Sequence, residues 1–496
     1  MNFIDRIIAG VAPERALKRA QARKALNILA HYDAATGGRR TKSWRPSAAD
    51  ADGAAARRQR LAYITRDMIR NTPFATRAQQ VIANNVVGDG IIPKVIGTAT
   101  QRKRGLEMIE QHLDSVAIDA DGVLNLYGLQ RLAMNCVVES GEVLIRRRLR
   151  SRSSGMALPL QLQLLEPDYF DEAKDGPSAN GNVIRDGIEY NAFGQRVAYH
   201  LFDEHPGGQS FRSFGLRTQS RRIPASEILH IYRVDRPGQR RGTPWFASIA
   251  INLQDLGDHQ DAQLMRQKIA ACFAAFRVQP EMSDEPRESA IGSTLRPGAI
   301  YDLGPGEGIE FGSPPKVDGF EEFNRVVLRS IAAGLGITYE ALTGDLSGTN
   351  FSSARMGRME MDRNVSSWQW TMMIPQFCGP LGKWIAEAWA FQTGDSRYGD
   401  VKISWTPPHR ILIDPAREIP ALRDKVRAGF ASRQGVVREL GYDPERLMSE
   451  IKQDRETAEA AGVAFDSAAV VEKLANMPTK PDDPAADESS EETEDE

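Results

Sequence analysis

Residues Tyr339 to Arg363 read YEALTGDLSGTNFSSARMGRMEMDR, and the change of texture inside this stretch divides the chain. Its middle, Gly344, Asp345, Leu346, Ser347, Gly348, Thr349 and Asn350, holds glycines, hydroxyls and amides but no cation. Glycine lets such a segment bend where other residues would strain, so it reads as a flexible connector between helices. Ser352 onward is helical to about Phe391, with bends expected at Pro375 and Gly379. Upstream, Trp245 to Ala271 reads as a helix, Val278 to Lys316 as a Pro/Gly-rich block with short strands, and Phe320 to Leu335 as a second helix. Helix, compact insertion, helix is the order a helical hairpin with a small domain at its tip would give.

Further upstream the period changes. Asn71 and Thr72 before Pro73 make a helix start, because proline at the first helical position forfeits no hydrogen bond. Phe74, Ala78, Val81, Ile82 and Val86 follow at helical spacing up to Gly88, and a second helical segment runs from about Leu129 to Glu139. Val143 to Leu149 and Leu160 to Leu165 alternate apolar with polar residues across SRSSG, a β-hairpin pattern. Asp186-Gly187 and Phe193-Gly194 punctuate further strands, and Ile228 to Tyr232 is another. Downstream, Val401 to Trp405 reads as a strand and Pro415 to Ala475 as mostly helix. The class is therefore α+β, and at 496 residues about three domains are expected.

The formal charge of −3, with 41% hydrophobic and 26% charged residues, excludes a global field of the kind that marks a nucleic-acid coat. The average hides polarity. Residues 1–70 are basic, through Arg15, Lys18, Arg19, Arg23, Lys24, Arg39, Arg40, Arg57, Arg58 and Arg60, while the end, PDDPAADESSEETEDE, is almost purely acidic and has the composition of disorder. Ala12 to Tyr32 reads as a basic amphipathic helix, either an arm docked on the protein or a neighbour, or a binder of nucleic acid or membrane. Cys136, Cys272 and Cys378 lack CxxC spacing and nearby histidines, so they read as buried thiols in a reducing compartment. The longest mostly apolar run, Ile269 to Phe276, falls short of the roughly 18 residues a membrane span needs, and MNFIDRIIAGVAPER lacks the pattern of a signal peptide. A soluble, unexported chain with no membrane partner is expected.

Catalysis has one look-alike. In EPDYFDEAK, Pro167-Asp168 and Glu172-Ala173-Lys174 imitate the two halves of a metal-dependent nuclease site, whose carboxylates converge on Mg²⁺. Such sites take their halves from separate strand positions, whereas only three residues separate them here and the Pro and Asp suggest a turn. The glycine loop has no GK[ST] and follows no predicted strand, so it is not a phosphate cradle. His230 in ILHIY reads as a satisfied strand residue, and ASRQGVVRELGYDPERL as a packing corner or a helix-turn-helix. No cofactor, metal or catalytic residue is expected.

Several blocks occur in the order of a known pattern: RNTPFATRAQQVIANNVVGDGI from Arg70, LQLLEPDYF, GIEYNAFGQRVAYHLF, IPASEILHIYRVDRPGQRRGTPWFA from Ile223, the stretch quoted first, and DKVRAGFASRQGVVRELGYDPERLMSEIKQD from Asp424. Together they resemble the lambda-type portal proteins of tailed bacteriophages. The resemblance implies a ring, usually of about twelve subunits, at one capsid vertex, through which double-stranded DNA is packaged and ejected. It implies no enzyme. It also implies a portal-type fold: a basic N-terminal arm at 1–70, a β-rich wing body at 71–244, stem helices at 245–272 and 317–337, and a clip at 273–316. A tunnel loop at 338–352, a long helix returning to the wing at 353–415, a helical crown at 416–476 and an acidic tail at 477–496 complete it. The implied partners are other copies of the chain, DNA bound without sequence preference, the terminase motor, major capsid or scaffold protein, and head-tail connector proteins. The implied place is the virion's portal vertex, with assembly in the host cytoplasm.

A ring repeats each channel-facing residue around its bore, so one carboxylate per chain becomes a ring of charge. DNA carries about one negative charge per 1.7 Å, and a bore dense in arginine would hold phosphates and resist sliding. Asp255, Asp258 and Asp261 recur every three residues on the first stem helix, as either an acidic lumen face or a solvated outer face. The Gly344–Asn350 loop would touch moving DNA without gripping it.

Overall fold

The structure is a computed structural model that describes residues 49–53, 55–208, 219–272, 276–278, 308–310, 319–408, 414–440, 442 and 444–463. The Ala12–Tyr32 helix, most of the 273–316 insertion, residues 464–476 and the acidic tail lie outside the described residues. Of the unit Met1–Gly53 only a turn is described, in which the Gly53 N–H donates to the Asp50 carbonyl at 3.2 Å. Every element below belongs to the second unit, Ala54–Glu496.

Helix α1 (Ala55–Asn71) runs into α2 (Pro73–Val86) through Thr72, whose extended φ of −115° suits the residue before a proline. α2 buries Ala75, Ala78, Val81, Ile82, Ala83 and Val86, so the apolar spacing read from sequence is its core face. α1 differs from expectation. Within residues 1–70, expected as an arm, residues 55–70 belong to this packed helix: Ala62 and Thr65 are buried, and the Arg66 guanidinium reaches Ser140, Glu139 and Asp168.

Strand β1 (Ile92–Ile96) precedes α3 (Ala99–Met108), which opens with a reciprocal capping box between Thr98 and Gln101. α4 (Leu126–Ser140) is capped by the Asn125 side chain and ends at Gly141, whose φ is +90°. A Cβ at Gly141 would lie 2.5 Å from the Thr243 carbonyl carbon, so both backbone sign and space require glycine there.

Two antiparallel sheets follow. β2 (Glu142–Leu149) lies between β3 (Leu160–Leu165) and a strand reached later, with Leu144 opposite Leu165 on one side and His230 on the other. A meander comprises β4 (Gly176–Pro177), β5 (Val183–Arg185), β6 (Ile188–Tyr190), β7 (Arg196–Leu201) and β8 (Arg221–Pro224). The tight turn between β5 and β6 is Asp186-Gly187, both at positive φ, as a two-residue hairpin demands. β9 (Ile228–Tyr232) completes the first sheet. Leu144, Leu165, Phe170, Ile188, Tyr199, Leu201, Ile223 and Ile228 form a core of their own where the two sheets meet.

Trp245–Ser248 is a 3₁₀ turn rather than the first turn of the helix expected from Trp245, which begins instead as α5 (Ala250–Cys272). Trp245 is held against Trp368, ring centroids 4.8 Å apart, with the Arg233 guanidinium over its face. β10 (Phe276–Val278) pairs antiparallel with β11 (Gly308–Glu310), and α6 (Phe320–Leu335) returns with the bounds read from sequence. Leu253 and Leu256 of α5 and Leu328, Ile331 and Leu335 of α6 join the main core, while His259 packs on Phe320 and Phe323 higher up.

α7 (Tyr339–Thr343) is a separate single turn, and α8 (Phe351–Trp368) continues through a π-helical segment, Gln369–Cys378, into α9 (Gly379–Thr393). Pro375 lacks an N–H, and the wider register around it absorbs the lost bond. This segment is bonded to both layers. Gln369 Nε2 donates to the Val86 carbonyl at 2.8 Å, and Gln376 Oε1 accepts from the Tyr232 N–H at 2.9 Å. β12 (Lys402–Thr406) pairs with β1, Ile92 opposite Thr406. α10 (Pro415–Arg427), α11 (Arg433–Glu439) and α12 (Pro444–Ala461) end the described chain, and Glu445 ties α12 to Lys94 and Arg102. Among the described residues no helix is long and apolar enough to cross a membrane.

Candidate DNA-contact loop and stem face

The Gly344–Asn350 loop does not leave α6 directly. α6 stops at Gly336, and Thr338 caps the separate turn α7, its Oγ1 accepting from the Ala341 N–H at 3.1 Å. Leu342 anchors that turn in the core, and Gly344 closes it at φ +74°. The loop therefore starts from a fixed platform.

Its own side chains organise it further than the composition implied. Asp345 Oδ1 accepts from the Ser347 N–H at 3.0 Å and from Ser347 Oγ at 2.6 Å, while Oδ2 accepts from the Tyr339 hydroxyl at 3.0 Å. These Ser347 and Tyr339 bonds hold the Asp345 carboxyl below its ordinary pKa, with Arg325 adding a smaller pull. Asn350 caps α8, its Oδ1 accepting from the Ser353 N–H at 2.8 Å while Ser353 Oγ accepts from the Asn350 N–H at 3.2 Å. That leaves Leu346, Ser347 and Gly348 as the exposed tip, with Leu346 66% accessible.

Arginines flank the base of this cation-free loop. Arg77 Nε donates to the Ala341 carbonyl at 3.2 Å, and the Arg329 guanidinium lies 5.5 Å from the Tyr339 ring centroid. On α8, Arg355 pairs with Glu418 at 3.8 Å and Arg358 with Asp362 at 3.3 Å. Arg355 and Arg358, three apart immediately after the loop, were visible in the quoted stretch; Arg77 and Arg329 come together with it only through the fold.

Asp255, Asp258 and Asp261 are all exposed, on the side of α5 away from Leu253 and Leu256. Gln254 Nε2 donates to Asp258 Oδ1 at 2.9 Å. Ile251 and Met265, also exposed, share that side, so it is acidic with apolar ends.

The nuclease look-alike resolves into structural ion pairs. Pro167–Tyr169 is a 3₁₀ turn, as its Pro and Asp suggested. Asp168 Oδ2 is bound by Arg66 at 2.5 Å, Glu172 Oε1 by Arg241 at 2.9 Å, and Lys174 Nζ lies 3.4 Å from His200 Nδ1. Each carboxylate already has a guanidinium. Glu166, Asp168 and His205 bring potential metal-ligand atoms within 4.8 Å of one another, but Arg66 Nη2 lies 3.3 Å from Glu166 and puts a fixed cation among them. His230 is a buried strand residue as expected, but only half satisfied: its Nε2 lies 2.9 Å from Glu142 Oε2, while its buried Nδ1 has no hydrogen-bond partner among the described residues.

The sequence profile described as "Phage portal protein, lambda family" matches residues 37–369, more than half of the chain. The chain belongs to the lambda family of phage portal proteins. Within that family it is similar to a "Probable portal protein" of Halomonas phage phiHAP-1, 26% identical over 87% of this chain and 88% of that one. It is also similar to "Portal protein B" of Escherichia phage lambda, 22% identical over 86% and 89% of the two chains. A chain in the neck of a native gene transfer agent particle is similar at 14% identity and a TM-score of 0.48, over 81% of this chain and 96% of that one. Nuclease chemistry gains no support from the portal relatives.

Proposed function

We propose that this portal protein assembles as a cyclic ring of about twelve copies at one capsid vertex and conducts double-stranded DNA inward during packaging and outward at ejection. The observation that carries this reading is the family match across residues 37–369, a span holding both stem helices and the loop between α7 and α8. In this reading 71–244 is the wing, α5 and α6 are the stem, 273–316 is the clip that docks the terminase motor and later the head-tail connector proteins, and 416–476 is the crown. Capsid or scaffold protein surrounds the ring, which is assembled in the host cytoplasm and stays in the virion.

The loop tip at Leu346–Gly348 is the DNA-touching element. A cation-free tip supplies hydroxyl and backbone contacts to phosphate, and these are weak enough to break as the duplex advances. The arginines at its base are partly committed, Arg77 to a carbonyl and Arg355 and Arg358 to carboxylates, which tempers their grip on phosphate. Asp255, Asp258 and Asp261 face the bore and, repeated by symmetry, repel the backbone from the wall.

Electron microscopy of the purified protein tests the assembly. Rings with a central hole are expected; a persistent monomer at high concentration would overturn the reading.

A further inference from the structure

A groove of about 440 Å³ lies where the end of α8 and its π segment, the chain after β12, and α11 converge. Trp370, Trp405, Pro407 and Pro408 line it, with Arg438 and Glu439 at its α11 side. Trp370 is 57% accessible although it adjoins the main core, and Trp405 is buried. The exposed Trp370 indole and the two proline rings give the groove an apolar wall, while Ser366, Gln369, Thr406, Arg438 and Glu439 make the rest of its lining polar. Glu439 is near Lys425, at 3.9 Å, whereas Arg438 is exposed and forms no ion pair among the described residues.

Troughs of this chemistry take polyproline-type segments. Proline at every third residue preforms an extended left-handed helix, so little conformational entropy is lost on docking, and aromatic walls accept the rings. The chain contains one such repeat, Pro478-Thr479-Lys480-Pro481-Asp482-Asp483-Pro484, with two carboxylates suited to Arg438. Reach is sufficient. Pro478 lies 15 positions beyond Val463, the last described residue, a span of up to ~50 Å when extended. α11 packs beside α12, which is roughly 27 Å long, so the segment can return along α12 to the groove.

We propose that the Pro478–Pro484 segment docks in this groove, its prolines against Trp370, Pro407 and Pro408 and its aspartates toward Arg438. The proposal needs no DNA and no portal activity, so it stands or falls separately from the reading above.

The test uses the full-length protein with a photoreactive side chain, Trp370→p-benzoylphenylalanine, irradiated and mapped by peptide mass spectrometry. Crosslinks to residues 476–486 are expected, and in mixtures of light and heavy copies the mass of the product tells whether the segment comes from the same chain or a neighbour. Combining the probe with Pro478→Ala, Pro481→Ala and Pro484→Ala should lower that yield about tenfold, since the rings and the preformed helix are both lost. Crosslinks confined to other parts of the chain, or a yield indifferent to the three substitutions, would overturn the proposal.

Discussion

Replacing Leu346–Thr349 by two glycines leaves ring assembly intact and lowers the DNA retained per particle by about tenfold. The fold should tolerate the change because the tip's bonds stay inside the loop: Leu346 is 66% accessible, Ser347 bonds Asp345, and the Thr349 N–H bonds the Leu346 carbonyl. The two flanking caps survive, since Thr338 and Leu342 hold α7 while Asn350 and Ser353 hold the start of α8. Loop-closure entropy changes little for so small an alteration in length. What disappears is the tip's contact with the duplex. A tenfold change is about 1.4 kcal/mol, roughly 0.1 kcal/mol for each of about twelve copies, well within the strength of a weak phosphate contact. Nuclease-protected DNA per purified particle, measured by quantitative PCR, reads the effect directly. Normal filling by the variant would reject the loop's role.

Arg241→Ala gives the largest expected loss of stability, about 3–5 kcal/mol, because it leaves a buried charge without its partner. The Arg241 side chain is fully inaccessible, and so is Glu142, which it meets at 2.7 Å. The same guanidinium bonds Glu172 at 2.9 Å and the Asp186 carbonyl at 3.2 Å, and lies 3.8 Å from the centre of the Phe170 ring. One side chain thus joins β2, the 3₁₀ turn region and the β5–β6 hairpin. Its removal would leave Glu142 with only the Gly242 N–H at 2.8 Å and His230. A fall in thermal midpoint of several degrees, with Arg66→Ala as a more exposed comparison, checks the claim; an unchanged midpoint would contradict it.

The same cluster sets a pH dependence with a definite sign. Burial pushes His230 down to about 4, against the pull of the Glu142 carboxylate. Its unfolded value is about 6.5, so the unfolded chain binds the extra proton first and stability falls as pH drops from about 6.5 toward 4. Burial alone would raise Glu142, but Arg241 and His230 hold it below its ordinary value. Its contribution is therefore present above the ordinary carboxylate range and lost on further acidification. Both groups act in one direction: the protein weakens in acid.

Local periodicity made much of this fold legible. Phe320–Leu335 has a strong apolar face and a glycine stop, and its bounds were readable to the residue. The β2–β3 hairpin, β9 and the Pro375 irregularity were equally local signals. α1 was hidden because arginines dominate its sequence and much of what it buries is small, as at Ala62 and Thr65. The β1–β12 pairing joins ends separated by most of the chain, which no local pattern announces. In the candidate site, the absence of cations and the turn residues were visible in sequence. The Tyr339–Asp345 bond and the approach of Arg77 and Arg329 to the loop were not, since they depend on how α6, α7 and α2 meet. The nuclease resemblance failed for a related reason: residue spacing says nothing of Arg66 and Arg241, which arrive from distant segments.

The central claim is that the ring occupies one vertex on the path of the DNA. Gold labelling of an epitope-tagged chain in intact virions, imaged by electron cryomicroscopy, tests it most directly. Label at a single vertex, coaxial with the tail and the exiting DNA, is the predicted result; label distributed over all vertices, or absent from the virion, would contradict it.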